Sequence, residues 1–166
     1  MLTQAQLKEI LDYDPDTGIF RWKIQMAKHT PAGKIAGGKC YDTKSKNPTR
    51  VSIQISKKPY CAHRLAWLYA FGKFPENFID HIDGNPFNNK INNLRECTDA
   101  QNAQNKRKPP SNSSTGFLGV CSRKYGFHAH IQKNGKHIFI GSFKTPEEAH
   151  QAYLAKKREL HEFCTI

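Results

Sequence analysis

No apolar run in this 166-residue chain approaches the ~20 residues that a membrane-spanning helix needs, so no membrane span or membrane partner is expected. The opening Met1-Leu2-Thr3 leads into an amphipathic pattern, not a charged segment followed by an apolar one, and no secretory signal is expected. Cysteine is sparse and scattered. Cys40, Cys61, Cys97, Cys121 and Cys164 are odd in number and never form a C-x-x-C pair. That spacing argues against a disulfide framework and against structural zinc, and it suits reduced thiols in a cytoplasmic protein. Acid is also scarce: 14 Asp and Glu stand against 26 Lys and Arg, for a net charge of +12. From Arg21 to Lys58 there are ten basic residues and one acid, Asp42; from Ser111 to Thr145 there are five and none. A balance this basic, without membrane features, points to nucleic acid as the partner. Hydrophobic content is 37%, low enough to imply small modules with limited cores.

The elements can be placed from capping and periodicity. Thr3 with Gln6 forms a capping-box pattern, and a helix is expected over about 4–12. Asp14-Pro15-Asp16-Thr17-Gly18 is a turn signal, followed by alternation at Phe20, Trp22 and Ile24. The stretch 27–49 reads as irregular. Val51, Ile53 and Ile55 read as a strand that Lys57-Lys58-Pro59 closes. His63–Phe71 has helical character, with Leu65, Leu68 and Tyr69 inward, and Gly72 suits its end. Phe78–Ile82 and Leu94–Cys97 read as two strands around an Asp83-Gly84-Asn85 turn. Thr98 with Gln101 then caps a helix beginning at Asp99 that cannot pass Pro109-Pro110. Residues 108–115 are a linker by composition. Beyond it, 117–123, 127–133 and 136–141 read as strands, with Asn134-Gly135 a hairpin turn, and Thr145-Pro146-Glu147-Glu148 opens a helix. The organisation expected is a first module over 1–107, the linker, and a second module over 116–166.

Residues 80–102 carry the chemistry. Asp80 and His81 are adjacent, a Gly84 turn follows, and Asn93 and Asn102 come later. Neighbours on a flat strand face opposite ways, so both can serve one phosphate only if the strand is bent or the phosphate wedges between them. A carboxylate from Asp80 and an amide oxygen from Asn102 would form the half-open oxygen site that Mg²⁺ favours. His81 would take the proton from an attacking water, and Asn93 would hold the loop between the strands. His63-Arg64 could contact the scissile phosphate region, a role that suits Arg64, or equally cap or pack its helix.

Asp80-His81, Asn93 and Asn102 resemble the HNH nuclease signature of the ββα-metal fold. The text around them (HRLAW, DHIDGN, NNLRECT, AQNAQNKR) is similar to the phage HNH homing-endonuclease branch over about residues 1–107, with the core at about 77–107. The resemblance implies one divalent ion, Mg or Mn, held by Asp80 and Asn102. It also implies His81 as general base, Asn93 as the structural asparagine, and hydrolysis of DNA phosphodiesters. The zinc-bearing branches carry paired C-x-x-C motifs that are missing here.

The second module, over about 115–162, resembles the ethylene-response-factor (apetala-type) DNA-binding domain through GFLGV, FIGSF and TPEEA. This implies a three-stranded antiparallel sheet in the major groove of double-stranded DNA, backed by a helix. Alternation independently places His128, His130 and Gln132 on one face and Ala129 and Ile131 on the other. Arg123, Lys124, Tyr125, His137 and Phe139 could join the outward face. Lys106 and Arg107 would track phosphates. Leu118, Cys121, Gln132 and His137 stand where the plant domains carry arginines, so the target sequence must differ.

The fold expected is α+β: a small ββα-metal core with an N-terminal α/β elaboration, plus a three-stranded sheet packed on one helix. The activity expected is metal-dependent nicking of DNA by a monomer or dimer, in a phage or bacterial setting. The alternatives are a DNA-binding regulator with a relic nuclease core, and a restriction or repair nuclease of the same chemistry. An RNA-directed protein is less favoured, since the deep A-form groove suits a sheet poorly.

Overall fold

Thr3 accepts a hydrogen bond from the Gln6 N–H while Gln6 returns one to the Thr3 N–H, and this box starts helix α1 (Gln4–Ile10). The helix stops earlier than its periodicity suggests. Leu11 is extended and opens strand β1 (Leu11–Asp14), which pairs antiparallel with β2 (Ile19–Trp22). Leu11 faces Trp22 and Tyr13 faces Phe20 across this hairpin, so all four share one face and are buried. The computed structural model describes residues 1–41 and 48–166. Residues 42–47, within the stretch expected to be irregular, lie outside the described residues.

The contacts divide the chain into two units, Met1–Cys97 and Thr98–Ile166. In the first, a meander of β3 (Gly38–Tyr41), β4 (Pro48–Ile55) and β5 (Lys58–Cys61) leads into helix α2 (Ala62–Phe71). Two of these strands, β3 and β5, replace expected loop and strand end. Helix α2 ends at Gly72, whose φ of +79° is the left-handed cap that glycine adopts without penalty. Its buried face is Ala62, Leu65, Ala66 and Leu68, while Tyr69 is only half-buried. These residues join Leu7, Leu11, Tyr13, Phe20, Trp22, Ile53, Ile55 and Leu94 in one core. Trp67 packs against Phe71 with ring centroids 4.3 Å apart, a packing role and not a stacking platform. The unit closes with an antiparallel pair, β6 (Phe78–His81) and β7 (Leu94–Cys97).

The second unit begins with helix α3 (Asp99–Gln104), capped reciprocally by Thr98 and Gln101. Strands β8 (Val120–Arg123), β9 (Gly126–Lys133) and β10 (Lys136–Phe143) form an antiparallel sheet in the order β10-β9-β8. Helix α4 (Pro146–Leu160), with Pro146 at its first turn and Thr145 capping, packs on the face that carries Ala129 and Ile131. Gly119 lies against Tyr153 so closely that a Cβ there would fall 2.0 Å from the ring. The architecture is thus α+β, with small antiparallel sheets and a C-terminal sheet packed on a helix.

The division at residues 97 and 98 falls ten residues before the expected linker. Its physical reason lies in the C-terminal tail. Gln104 accepts from the Phe163 N–H, Asn105 accepts from the Thr165 hydroxyl, and the Lys106 carbonyl accepts from the Lys157 ammonium. Helix α3 and the residues after it are therefore held by the second unit's own tail.

Candidate active site

Register decides what each strand residue meets. Asp80 lies opposite Arg95, and His81 opposite Leu94. Asp80 is buried, and its Oδ2 accepts from Arg95 Nε at 3.0 Å and from Arg95 Nη2 at 2.7 Å. The guanidinium thus grips one edge of the carboxylate. His81 ends the strand, and its carbonyl accepts from the Gly84 N–H at 2.8 Å, closing the turn.

The loop between the strands is tied by asparagines. Asn93, buried, accepts from the Asp83 N–H at 3.0 Å and donates to Asp83 Oδ1 at 2.9 Å and to the Asn88 carbonyl at 2.8 Å. Its carbonyl also takes the Ile82 N–H at 2.9 Å, extending the ladder past the strand ends. Asn93 is therefore the loop's structural clamp, as its place in the sequence suggests. Burial alone would raise the Asp83 carboxyl, but hydrogen bonds from Asn88, the Asn85 N–H and Asn93, with His81 nearby, outweigh it and hold it below the usual range.

Two neighbours of this site, Arg95 and Asn89, are not visible in the sequence, and a third, His63, stands out there only beside Arg64. Arg95 becomes Asp80's partner only through strand register. His63, in the first turn of α2, meets the His81 ring edge-on at 5.3 Å between centroids. Its Nδ1 is buried with no hydrogen-bond partner among the described residues, and burial, with His81, Arg64 and Arg50 nearby, pushes its pKa down to about 4. Asn89, 2% exposed, presents its Oδ1 to His81 Nε2 at 3.2 Å. The run Asn88-Asn89 looks like ordinary loop composition, and nothing in its spacing singles out the second residue.

Arg64 points elsewhere. Its guanidinium donates to the Asn77 carbonyl at 3.3 Å and the Pro75 carbonyl at 3.1 Å, fixing the approach to β6. Glu96 reinforces that approach by accepting from the Asn77 N–H at 2.6 Å. The two Arg64 bonds are the packing contacts of its side chain. Asn102 lies on α3 in the second unit, with its side chain exposed. Asp80, His81 and Asn93 are therefore brought together within one unit, and Asn102 belongs to the other. Among the described residues no group of three or more His, Cys, Asp or Glu could hold a metal ion, so a closed cage of those ligands is not built.

On the second unit's sheet, cross-strand pairing sets one outward face. Cys121 lies opposite His128, Phe139 opposite His130, and His137 opposite Gln132. The His128 and His130 rings each sit 5.3 Å from Phe139, a continuous aromatic patch. Burial, with His128, Arg123 and His137 nearby, holds the His130 imidazole below its usual range. Tyr125, with the Lys124 ammonium 5.1 Å from its ring centroid, is highly exposed at the β8–β9 turn. An open groove of about 410 Å³ separates part of this face from residues 110–117 and is lined by Asn112, Phe117, His130 and His137. Lys106 is exposed, and Arg107 donates to the Thr165 hydroxyl.

Residues 60–104 match a family profile described as HNH endonuclease. The chain is 43% identical over 63 residues to Protein 3.8 of Escherichia phage T7, covering 37% of this chain and 51% of that protein. It is 36% identical over 100 residues to an uncharacterized HNH endonuclease, L560, of Acanthamoeba polyphaga mimivirus, covering 59% of this chain and 51% of that protein. The chain thus spans about half the length of these curated relatives. No solved structure matches. No helix among the described residues is long and apolar enough to cross a membrane.

Proposed function

We propose that this chain is a divalent-metal-dependent DNA endonuclease of the HNH type, which nicks one strand per engagement in the manner of a homing endonuclease. The observation that carries the reading is the end of β6: buried Asp80, then His81 at the strand terminus, with the following loop clamped by Asn93. The profile match over 60–104 spans all three residues and Asn102.

The donor set fits a hard cation in kind. Asp80 offers a carboxylate that Arg95 holds through Oδ2, and Asn102 offers an exposed amide. Asp80 and Asn102 are the residues that would hold one Mg²⁺ or Mn²⁺ ion, which when bound stabilises the developing charge and the leaving 3′ oxygen. His81 accepts the proton of the attacking water, a role that contributes roughly 10²–10⁴-fold. Asn93 keeps the loop from carrying His81 away. Hydrolysis leaves a 5′ phosphate and a 3′ hydroxyl.

The sheet of the second unit serves as the reader of double-stranded DNA. A β-ribbon fits the major groove, and the outward face offers imidazoles, Gln132 and Arg123 for base and phosphate contacts, with aromatic surface at Phe139 and Tyr125. This agrees with an ethylene-response-factor-like module, and Lys106 with Arg107 would extend phosphate contact.

Supercoiled plasmid tests the reading. Incubation with Mg²⁺ is expected to give relaxed circles whose nicks carry 5′ phosphates, and EDTA is expected to stop the reaction. Relaxation that persists in EDTA would overturn the metal-dependent mechanism. DNA binding without cleavage in Mg²⁺ or Mn²⁺ would leave the relic-core regulator in its place.

A further inference from the structure

We propose that the C-terminal tail is a positioning element of the nuclease: through Lys157, Phe163 and Thr165 it holds helix α3, which carries Asn102, and so sets how tightly the divalent cation is bound. The proposal rests on the reading of Asn102 as a ligand of that cation. Helix α3 has little of its own to hold it. It spans six residues, Asp99–Gln104, and none of them is buried. An isolated helix shorter than about 12 residues is marginal in water, and helices in proteins draw most of their stability from a packed face. The reciprocal cap of Thr98 and Gln101 secures only the first turn.

The other end is fastened by the tail, within the second unit. The Phe163 N–H donates to Gln104 Oε1 at 3.3 Å, the Thr165 hydroxyl donates to Asn105 Oδ1 at 2.7 Å, and the Lys157 ammonium donates to the Lys106 carbonyl. Arg107 donates in turn to the Thr165 hydroxyl. Lys157 is 1% exposed, and its ammonium lies 5.9 Å from the centroid of the Tyr153 ring. A buried ammonium is tolerated only where it is bonded, so its burial pins the Lys106 carbonyl in a way that a surface lysine would not. The tail is itself anchored. The His161 ring donates from Nε2 to the Gln132 carbonyl on β9 at 2.9 Å, and Arg158 Nε donates to the Ile166 carbonyl at 3.1 Å. A chain of bonds therefore runs from the sheet proposed as the DNA reader, through the tail, to the residues that follow Asn102. Residues 157–165 lie well beyond the 60–104 segment that matches the HNH profile, so this support comes from outside the part of the chain that resembles the family.

The test compares the full-length wild type with Lys157→Met, Thr165→Val, Thr165→Ser and Asn102→Ala. Hydrogen–deuterium exchange of the metal-free protein follows the amides of residues 99–107. Single-turnover plasmid nicking gives the Mg²⁺ concentration for half-maximal rate, and duplex affinity is measured in EDTA. Lys157→Met is expected to exchange faster at 99–107 and to raise the Mg²⁺ midpoint about 10-fold, as loss of a support behind a metal ligand does. Its rate at saturating Mg²⁺ and its affinity are expected to stay near wild type. Thr165→Val is expected to show the same changes to a smaller extent, and Thr165→Ser, which keeps the hydroxyl, to match wild type. A purely structural defect would lower the saturated rate or the affinity and leave the midpoint in place. If Lys157→Met does not fold, the exposed Thr165 decides alone. A wild-type midpoint in Thr165→Val overturns the proposal, and so does a raised midpoint with unchanged exchange at 99–107, or one raised equally in Thr165→Ser. Asn102→Ala separates the proposal from the reading beneath it. A wild-type midpoint in Asn102→Ala removes Asn102 as a ligand, whereas a raised one beside wild-type midpoints in the tail variants removes the tail's role alone.

Discussion

At the residue scale, two histidines in contact have opposite demands. On the proposed mechanism His81 exchanges a proton, whereas desolvation of half-buried His63, packed edge-on against it, pushes its pKa down to about 4. The unfolded chain binds a proton at His63 below its ordinary value of 6.5, and the folded chain resists until about 4. Between those values the unfolded state holds more protons, so stability is complete above pH 6.5 and falls as pH drops toward 4. At about pH 5 the loss is about 2 kcal/mol. Urea unfolding at about pH 7.5 and pH 5 is expected to show this loss in wild type and not in His63→Gln; equal losses in both would place the pH dependence elsewhere. Most of the site's working residues were legible because identity and order suffice for them. Asp80, His81 and Asn93 are close in sequence, and the loop that joins them is short. Asn89 and Arg95 were not legible, because each meets the site through register or packing that no local pattern records. Arg64 reads equally as a phosphate contact or a packing residue, and its guanidinium bonds to two backbone carbonyls.

At the element scale, the same turn occurs twice and was visible once. Asn134-Gly135 joins β9 to β10 with φ of +50° and +77°, the two-residue hairpin that this dipeptide favours. Ser56-Lys57 joins β4 to β5 with φ of +48° and +66°, yet neither residue favours that conformation. The sequence therefore suggested a strand end, and β5 went unseen. What enforces the turn is tertiary: Ile53 and Ile55 must face the core, and the pairing of Ile55 with Lys58 leaves only two residues to turn. Each of the two left-handed residues is strained by roughly 1–2 kcal/mol. Ser56→Asn combined with Lys57→Gly is expected to raise unfolding stability by about 1 kcal/mol, since the backbone entropy of glycine offsets part of the relief. A double variant no more stable than wild type in denaturant titration would show that the strain is absent. Similarly, α1 gave way to β1 because Leu11 and Tyr13 pair with Trp22 and Phe20, a packing choice that outweighs helical spacing.

At the scale of the molecule, the basic charge was the first clue to the partner and the boundary was the last thing to be found. Composition located a linker at 108–115, but no composition reveals that Lys157, 1% exposed in α4, reaches the Lys106 carbonyl with its ammonium. With a net charge of +12 on the chain, binding to DNA should be dominated by phosphate contacts. For about six to ten such contacts, affinity is expected to fall about 10³–10⁵-fold between ~50 and ~200 mM salt. A nearly flat salt dependence in a fluorescence-anisotropy titration would contradict the phosphate-tracking role of the basic segments.

The central claim is that His81 acts on the reaction and not on binding. The most direct measurement sets His81→Ala beside wild type, following plasmid nicking in Mg²⁺ and duplex affinity in the same buffer. A nicking rate lowered about 10²-fold or more, with affinity preserved, is the predicted result. Cleavage at the wild-type rate, or a loss of affinity that accounts for the loss of cleavage, would contradict it.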